Sequence, residues 1–517
     1  MQLFVMFIFG VIVLGAGAML SPAWPSAQPR IGLAAALSLA LVAGGAVFWA
    51  SAFGWDTLVI DYMLFALMSG VVLGGTLSQA QTRAEAKGEE LSDQDQGWPG
   101  PHDLVFFGLV GLLALLPLWV LPAPIGGDAA ELASQTFFTR AGETFFTEAP
   151  FSLTTVEPRP PAFHALGAYL SEQLGQPIPA IQFAVSAVLL LLCVWVIYDL
   201  GAELQDKRLG RALALAALGS GLLLRVYLDA QYTALLGLLF LFSGLLYLLR
   251  YAAHGKTLDL VGAGLMLGAV AFADFRVLVV AFGVHLVVMI WRVAYIKRHG
   301  VVRWLLLTFG VPLVAIIATS PWLLSIASQN ALPEIITLAL DSGRILLYSA
   351  LVAVTLFGGL LLLAAWERVP DALQNSLRNS AYIWLGALAL LLALAMPLGA
   401  ALWPDNAPAD ALTAGDVAAL DWLRENSPDD AVVLTDPDYQ NWLIGYGERA
   451  PALYRQGTGS LAAVWDSDNT SAWDAAGITH IYVPAASTRD FSADMGVTVA
   501  FEQGGASVYT VLDDASE

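Results

Sequence analysis

Carboxylates and arginines recur in this chain where long apolar stretches end. "LPAPIGGDAAELASQTFFTRAG" (Leu121 to Gly142) carries Asp128 and Glu131, and "VEPRPPAFHALGAYLSEQLG" carries Arg159 and His164. "LLRVYLDAQYTALLGLLF" holds Arg225, Asp229 and Tyr232, "VAFADFRVLVV" holds Asp274 and Arg276, and "ALPEIITLALDSGR" holds Glu334, Asp341 and Arg344. An ionised carboxylate can take a proton or help hold a cation. A guanidinium matches phosphate oxygens, and an imidazole can be a ligand or a proton carrier. Each residue also has an ordinary reading. Gly126 and Gly127 can simply stop a helix, the charged pairs can be helix-end salt bridges, and His164 can be a hydrogen-bonded interfacial residue. Charges near a membrane core are expensive and usually face a cavity or a partner. Their gathering on one face is what points to a shared site.

The elements that must position them are membrane spans. The chain has 517 residues, 58% hydrophobic and 13% charged, more apolar surface than a soluble fold can hide. Apolar runs long enough to span recur about twelve times, near 2–20, 31–53, 57–78, 104–122, 178–200, 210–226, 232–250, 258–273, 276–291, 302–325, 345–366 and 380–402. The first lacks a basic start and is followed closely by another, so it reads as a span and not a cleaved signal. The single cysteine, Cys193, excludes a disulfide framework.

Orientation follows from lysine and arginine. The loops at 21–30, 79–103, 201–211, 250–257, 292–303 and 367–379 hold 14 of the 23 basic residues, including all four lysines, Lys87, Lys207, Lys256 and Lys297. That side is expected to be cytoplasmic. The N-terminus, the 123–177 loop and the tail then lie outside the plasma membrane. The expected organisation is a three-span module (1–78), an acidic cytoplasmic linker (79–103), a nine-span body (104–402) and a soluble domain (403–517).

In the tail, Thr413 and Asp416 form a capping signal ahead of helical spacing. "AVVLTD" reads as a buried strand, "DYQNWLIGYGER" as a short helix, "SAWDAAGITHIYVP" as helix, glycine stop and strand, and "VTVAFEQGGASVYTVLD" as a hairpin. This is a small α/β domain. It has no Ser-His-Asp set, phosphate loop or metal spacing, and its reading is a stability or recognition cap. Asn469-Thr470-Ser471 is a glycosylation acceptor pattern. "TFFTRAGETFFTE" repeats paired aromatics, expected to lie against the bilayer. From residue 401 onward there are 19 Asp/Glu against four Arg. Such acidity argues against a nucleic-acid partner and suits a halophilic source, where salt screens repulsion.

In order and on one side, these features resemble the type C (GT-C) glycosyltransferase superfamily: polytopic enzymes that use lipid-phosphate-linked sugars outside the membrane, among them oligosaccharyltransferases and protein mannosyltransferases. The resemblance covers roughly 104–517. It rests on "GGDAAE" opening the long loop, "PRPPAFHALGAYL" closing it, "AQYTALLGLLFL", "GAVAFADFRVLVV", and the tail from "ALDWLRENSPDD" to "ALY". Ala234 stands where similar proteins carry a proline. The Trp-Trp-Asp-Tyr-Gly signature of oligosaccharyltransferases is absent. The corresponding stretch is Asp436-Pro437-Asp438-Tyr439-Gln440, which weakens the case for peptide-asparagine transfer.

The resemblance implies a mainly α polytopic membrane protein with a small C-terminal α/β extracytoplasmic domain. It implies a transferase that moves a sugar from a polyprenyl-phosphate donor to an external acceptor. Asp128 would be the catalytic carboxylate, or would share a divalent cation (Mg or Mn) with Glu131. Arg159, Arg225, Arg276 or Arg344 would neutralise the departing phosphate, with Asp229 and Asp274 orienting them and His164 and Tyr232 beside the substrate. The rival expectation is a catalytically degenerate scaffold or lipid-binding protein. A transferase predicts Asp128 facing a polar cavity with at least one arginine nearby and a lipid-sized groove leading in; a scaffold predicts no such convergence.

Overall fold

The computed structural model describes residues 31–62, 101–125, 127–142, 159–293, 300–328, 332–368, 411–452, 477–491 and 496–512, with isolated positions 5, 9, 10, 13, 65, 66, 69, 465 and 473. Ile31–Phe53 (α1) and Pro101–Val120 (α2) come first, and two helices of the long loop follow, Gly127–Gly142 (α3) and Ala162–Leu174 (α4). The body continues with Ile178–Leu204 (α5), Lys207–Gly219 (α6), Leu222–Leu228 (α7), Tyr232–His254 (α8), Thr257–Ala273 (α9) and Phe275–Val293 (α10). It closes with Val301–Ser328 (α11), Leu332–Ala339 (α12) and Ser342–Glu367 (α13).

Six of the described helices are long and apolar enough to cross a membrane: those at Gly32–Phe53, Asp103–Val120, Ile178–Leu204, Tyr232–His254, Val301–Ser328 and Ser342–Glu367. This is a multi-pass membrane protein. Of the twelve spans expected, 2–20, 380–402 and most of 57–78 lie outside the described residues, as do the linker from 79 to 100 and Asn469-Thr470-Ser471. The run at 210–226 is not a straight helix. α6 and α7 meet at 55°, because Gly221 takes a left-handed φ of 70°, which only glycine adopts cheaply. Counted as one span, the pair makes seven. α9 and α10 are apolar but shorter.

α5 and α8 are apolar on every side and buried along nearly their whole length, as central helices should be. α11 and α13 instead turn large apolar residues outward, among them Phe309, Leu313, Phe357 and Leu361. Small residues let helices close up: a Cβ on Gly201 would strike the Gly210 backbone. The two ends of the bundle differ. One end carries the ion pairs Arg211–Asp103 (2.8 Å) and Arg250–Glu203 (3.0 Å). The start of α8, the α9–α10 junction and α3 form the other. Thr233 and Arg250 lie on the same helix, roughly 26 Å apart at 1.5 Å per residue.

The tail helix Ala414–Asn426 (α14) has the expected capping box between Thr413 and Asp416. Beside it lie strands Val432–Thr435 (β1), Ala450–Pro451 (β2), His480–Val483 (β3), Val497–Gln503 (β4) and Ala506–Val511 (β5), in the order β2-β1-β3-β5-β4. β1 is parallel to β2 and β3; β5 is antiparallel to β3 and β4. Gly504 and Gly505, both at positive φ, make the β4–β5 turn. The buried Asp416 accepts from Tyr482 Oη and Ala485 N, each at 2.8 Å, so the capping residue also ties α14 to the sheet.

The tail is docked on the loop. A Cβ on Gly445 would collide with Ala133 of α3. Tyr446 Oη donates to Gln182 Oε1 at 3.3 Å, Gln182 Nε2 donates to the Ala129 carbonyl at 3.2 Å, and Arg140 pairs with Glu448 at 2.5 Å. This corrects the expectation for the first TFFT. Thr136, Phe137, Phe138 and Thr139 are buried in protein, because α3 is covered by α4 and the tail and does not lie open to lipid. The second TFFT is outside the described residues.

Candidate functional site

Asp128 sits in the first turn of α3, where a carboxylate is favoured by the helix dipole. Glu131 follows one turn later on the same helix. Both line a cleft, together with Leu132, Arg159, Pro160, His164, Thr233, Asp274, Phe275 and Arg276. The cleft therefore draws on α3, α4, α8 and the α9–α10 junction.

Each of its carboxylates faces an arginine. Arg344, from the first turn of α13, grips Asp128 through both oxygens: Nη1 to Oδ2 at 2.6 Å and Nη2 to Oδ1 at 2.8 Å. Arg159 pairs with Glu131. Arg276 forks onto Asp274, Nε to Oδ1 at 3.1 Å and Nη2 to Oδ2 at 2.7 Å. Such planar pairs are the strong, geometrically specific kind. Asp274 is also the N-cap of α10. Its Oδ1 accepts from the backbone of Arg276 (2.8 Å) and Val277 (3.2 Å), and its Oδ2 accepts from Thr233 Oγ1 at 3.1 Å. Capping by a short carboxylate explains how two apolar helices can reverse across one residue. Asp341 caps α13 in the same way through Gly343 N and Arg344 N.

Six of the ten expected site residues thus line one cleft: Asp128, Glu131, Arg159, His164, Asp274 and Arg276. Arg344 joins them through Asp128 without lining it. The other three do not line it. Arg225 and Asp229 pair with each other at 3.2 Å as an i,i+4 bridge with Arg225 well exposed. Tyr232 is buried in the aromatic packing of Phe163 and Tyr227. Glu334 lies on α12.

Sequence reasoning missed Thr233, Phe275, Tyr348 and Gln231. Tyr348 Oη donates to Gln231 Oε1 at 2.8 Å. This bond links α13, one turn past Arg344, to the turn before α8. Phe275 stacks on the buried Trp322 at 5.4 Å. The "AQYTA" stretch already held two of the missed residues, but nothing local shows that Tyr232 packs among aromatics while Thr233 lines the cleft and Gln231 meets Tyr348.

His164 is buried, and desolvation, helped by the nearby positive charge of Arg159, lowers its pKa to about 3. Burial there favours the neutral imidazole. Among the described residues no group of three or more His, Cys, Asp or Glu side chains converges. A hard divalent cation wants about six oxygen ligands. Here the two carboxylates expected to share one, Asp128 and Glu131, are each engaged by an arginine. This donor set does not fit Mg or Mn.

Fold and site define a helical, multi-pass membrane protein with a charged cleft at one end of its bundle and a small α/β domain packed beside that cleft. No family model matches the chain, and no curated protein matches it. Among solved structures it is similar to the archaeal oligosaccharyltransferase AglB from Archaeoglobus fulgidus in complex with an inhibitory peptide and a dolichol-phosphate (TM-score 0.41, 13% identity, 74% of this chain and 69% of that chain). It is also similar to the Archaeoglobus fulgidus oligosaccharyltransferase in the apo form (TM-score 0.47, 14% identity, 74% and 69%) and to its complex with Zn and sulfate (TM-score 0.33, 13% identity, 74% and 68%).

Proposed function

We propose that this protein is a membrane glycosyltransferase that moves a sugar from a polyprenyl-phosphate-linked donor to an acceptor hydroxyl outside the membrane. The observation that carries the reading is a single cleft holding Asp128 with two lining arginines, Arg159 and Arg276. A second, apolar-lined pocket lies further along the same two helices, α8 and α10, lined by residues such as Phe240, Leu241, Gly244, Ala281 and Val284. An anionic headgroup would rest in the first and its isoprenoid tail would run towards the second.

In the transfer, the acceptor oxygen bonds to the anomeric carbon of the sugar and Asp128 takes the hydroxyl proton. The bond from that carbon to the phosphate oxygen breaks, and its electron pair leaves with the lipid phosphate. Arg276 and Arg159 face the charge that develops there. Asp274 and Thr233 hold Arg276 in place. The tail, docked on α3, keeps the helix that carries Asp128 from drifting.

The test is reconstitution of the full chain with lipid-linked sugars from its host. Asp128→Asn is expected to lower transfer by at least about a hundredfold, the scale of a lost general base. Full transfer by Asp128→Asn would refute the assignment. The scaffold reading draws on the same ion pairs, since every carboxylate in the cleft is already engaged. It predicts lipid-phosphate binding with no turnover.

A further inference from the structure

We infer that Arg344 is the resident cation of this site. It fixes and neutralises Asp128 where a divalent metal would otherwise be needed, so a phosphate headgroup binds to Arg276 and Arg159 without one. The ligand follows from the transferase reading; the cation assignment follows from geometry.

The guanidinium of Arg344 meets both oxygens of Asp128, at 2.6 and 2.8 Å, across the gap between α13 and α3. Its own backbone N–H is tied to Asp341, whose carboxylate also lies 3.8 Å from Arg344 Nε. One turn along α13, Tyr348 bonds Gln231. Arg344 is thus anchored on both sides and stands behind Asp128, outside the lining of the cleft. A fixed positive charge at this place does what a metal would do for the carboxylate: it sets its orientation and offsets its charge in a partly dry site. A divalent ion would have to displace Arg344 from Asp128 and Arg159 from Glu131, and then sit among three guanidinium groups.

Arg276 and Arg159 are different, since they line the cleft. A guanidinium has five N–H donors, and the fork on Asp274 uses Nε and Nη2 of Arg276. An anion can therefore add to Arg276 without breaking its fork. The shared chemistry is a phosphate or diphosphate, whether borne by a lipid or free. Arg344 is accordingly a positioning residue for Asp128.

The experiment uses the purified full chain in detergent, with Mn²⁺ followed by electron paramagnetic resonance and inorganic pyrophosphate followed by calorimetry in EDTA. Wild type is expected to leave Mn²⁺ free and to bind pyrophosphate in EDTA as tightly as with Mg²⁺. Arg276→Gln should weaken that binding about tenfold or more. Arg344→Gln should leave it nearly unchanged while transfer collapses, and Arg344→Lys should restore part of the transfer. One Mn²⁺ per chain that is lost in Asp128→Asn, or pyrophosphate binding only with Mg²⁺, would overturn the proposal. The pyrophosphate measurement is made on wild type, so misfolding of a variant does not blunt it. Farnesyl diphosphate binding more tightly than pyrophosphate would mark the anion as lipid-borne, and equal binding as free; either upholds the cation assignment. Metal-free anion binding without any transfer would sink the transferase reading and leave Arg344 in its role.

Discussion

At the scale of single residues, the cleft is a set of charges that answer one another. Asp274 shows how one side chain can be ordinary and consequential together. It caps α10, which is the bland reading of an aspartate between two apolar helices, and that same cap aims Arg276 along the cleft wall. His164 makes a sharper case. With its pKa lowered to about 3 by burial, the folded protein holds it neutral, while the unfolded chain protonates it below about pH 6.5. Between those values the unfolded state binds more protons, so stability is lost as pH falls from about 6.5 towards 3, by at most roughly 1.4 kcal/mol per pH unit. His164→Gln should flatten the acid limb of an unfolding curve measured across that window. An unchanged limb would show that His164 is not the buried neutral group it is taken to be.

At the scale of elements, α3 is the piece on which the site depends. It carries Asp128 and Glu131, and its far end is held by Arg140, which reaches both Glu448 of the tail and Ser171 Oγ of α4 (3.1 Å). Its flank is held by Gly445, which leaves no room for a side chain against Ala133. Gly445→Val should therefore prise the tail from α3 and cost about 1–3 kcal/mol, the usual scale of overpacking. Faster hydrogen exchange in both α3 and the Leu443–Gly447 turn would be the sign. Unchanged exchange in α3 would mean that the tail and the loop are independent. α4 is braced from the N-terminal side as well: Tyr169 Oη donates to Asp61 at 2.6 Å, and Gln173 Nε2 to the same carboxylate at 2.9 Å. The segment that carries Asp61 is thus in contact with the helix that carries His164.

At the scale of the molecule, the cleft and the tail share one end of the bundle and the basic loops take the other, so the expectation from the positive-inside rule is that the cleft lies outside. Cys193 is buried, which makes introduced cysteines readable. A membrane-impermeant maleimide added to intact cells should label Asp438→Cys and not Arg208→Cys; the reverse pattern would invert the topology. The excess of 19 acidic residues over four arginines after residue 400 predicts a tail that loosens at low salt as unscreened repulsion grows. Thermal unfolding of the detergent-solubilised chain should begin at lower temperature in about 0.01 M salt, where the screening length reaches roughly 30 Å, than in molar salt. A midpoint indifferent to salt would end the halophilic reading.

Much of this was already settled by local chemistry. Apolar runs must span or be buried, so the membrane character followed from composition. The capping box at Thr413, the β1 strand and the Gly504-Gly505 hairpin depend on neighbouring residues, and they formed where their residues implied. Asp128 at the mouth of a span was likewise legible. The pairings were not. Asp128 and Arg344 are 216 positions apart, and the sequence offered four arginines as equal partners for a phosphate. Only helix packing separates them: Arg225 pairs with Asp229 outside the lining, the Asp274 cap fixes Arg276 in the wall, and the Tyr348–Gln231 bond holds α13 where Arg344 meets Asp128. Local sequence sets what each side chain can do. Which charge it meets is set by how the helices close around it.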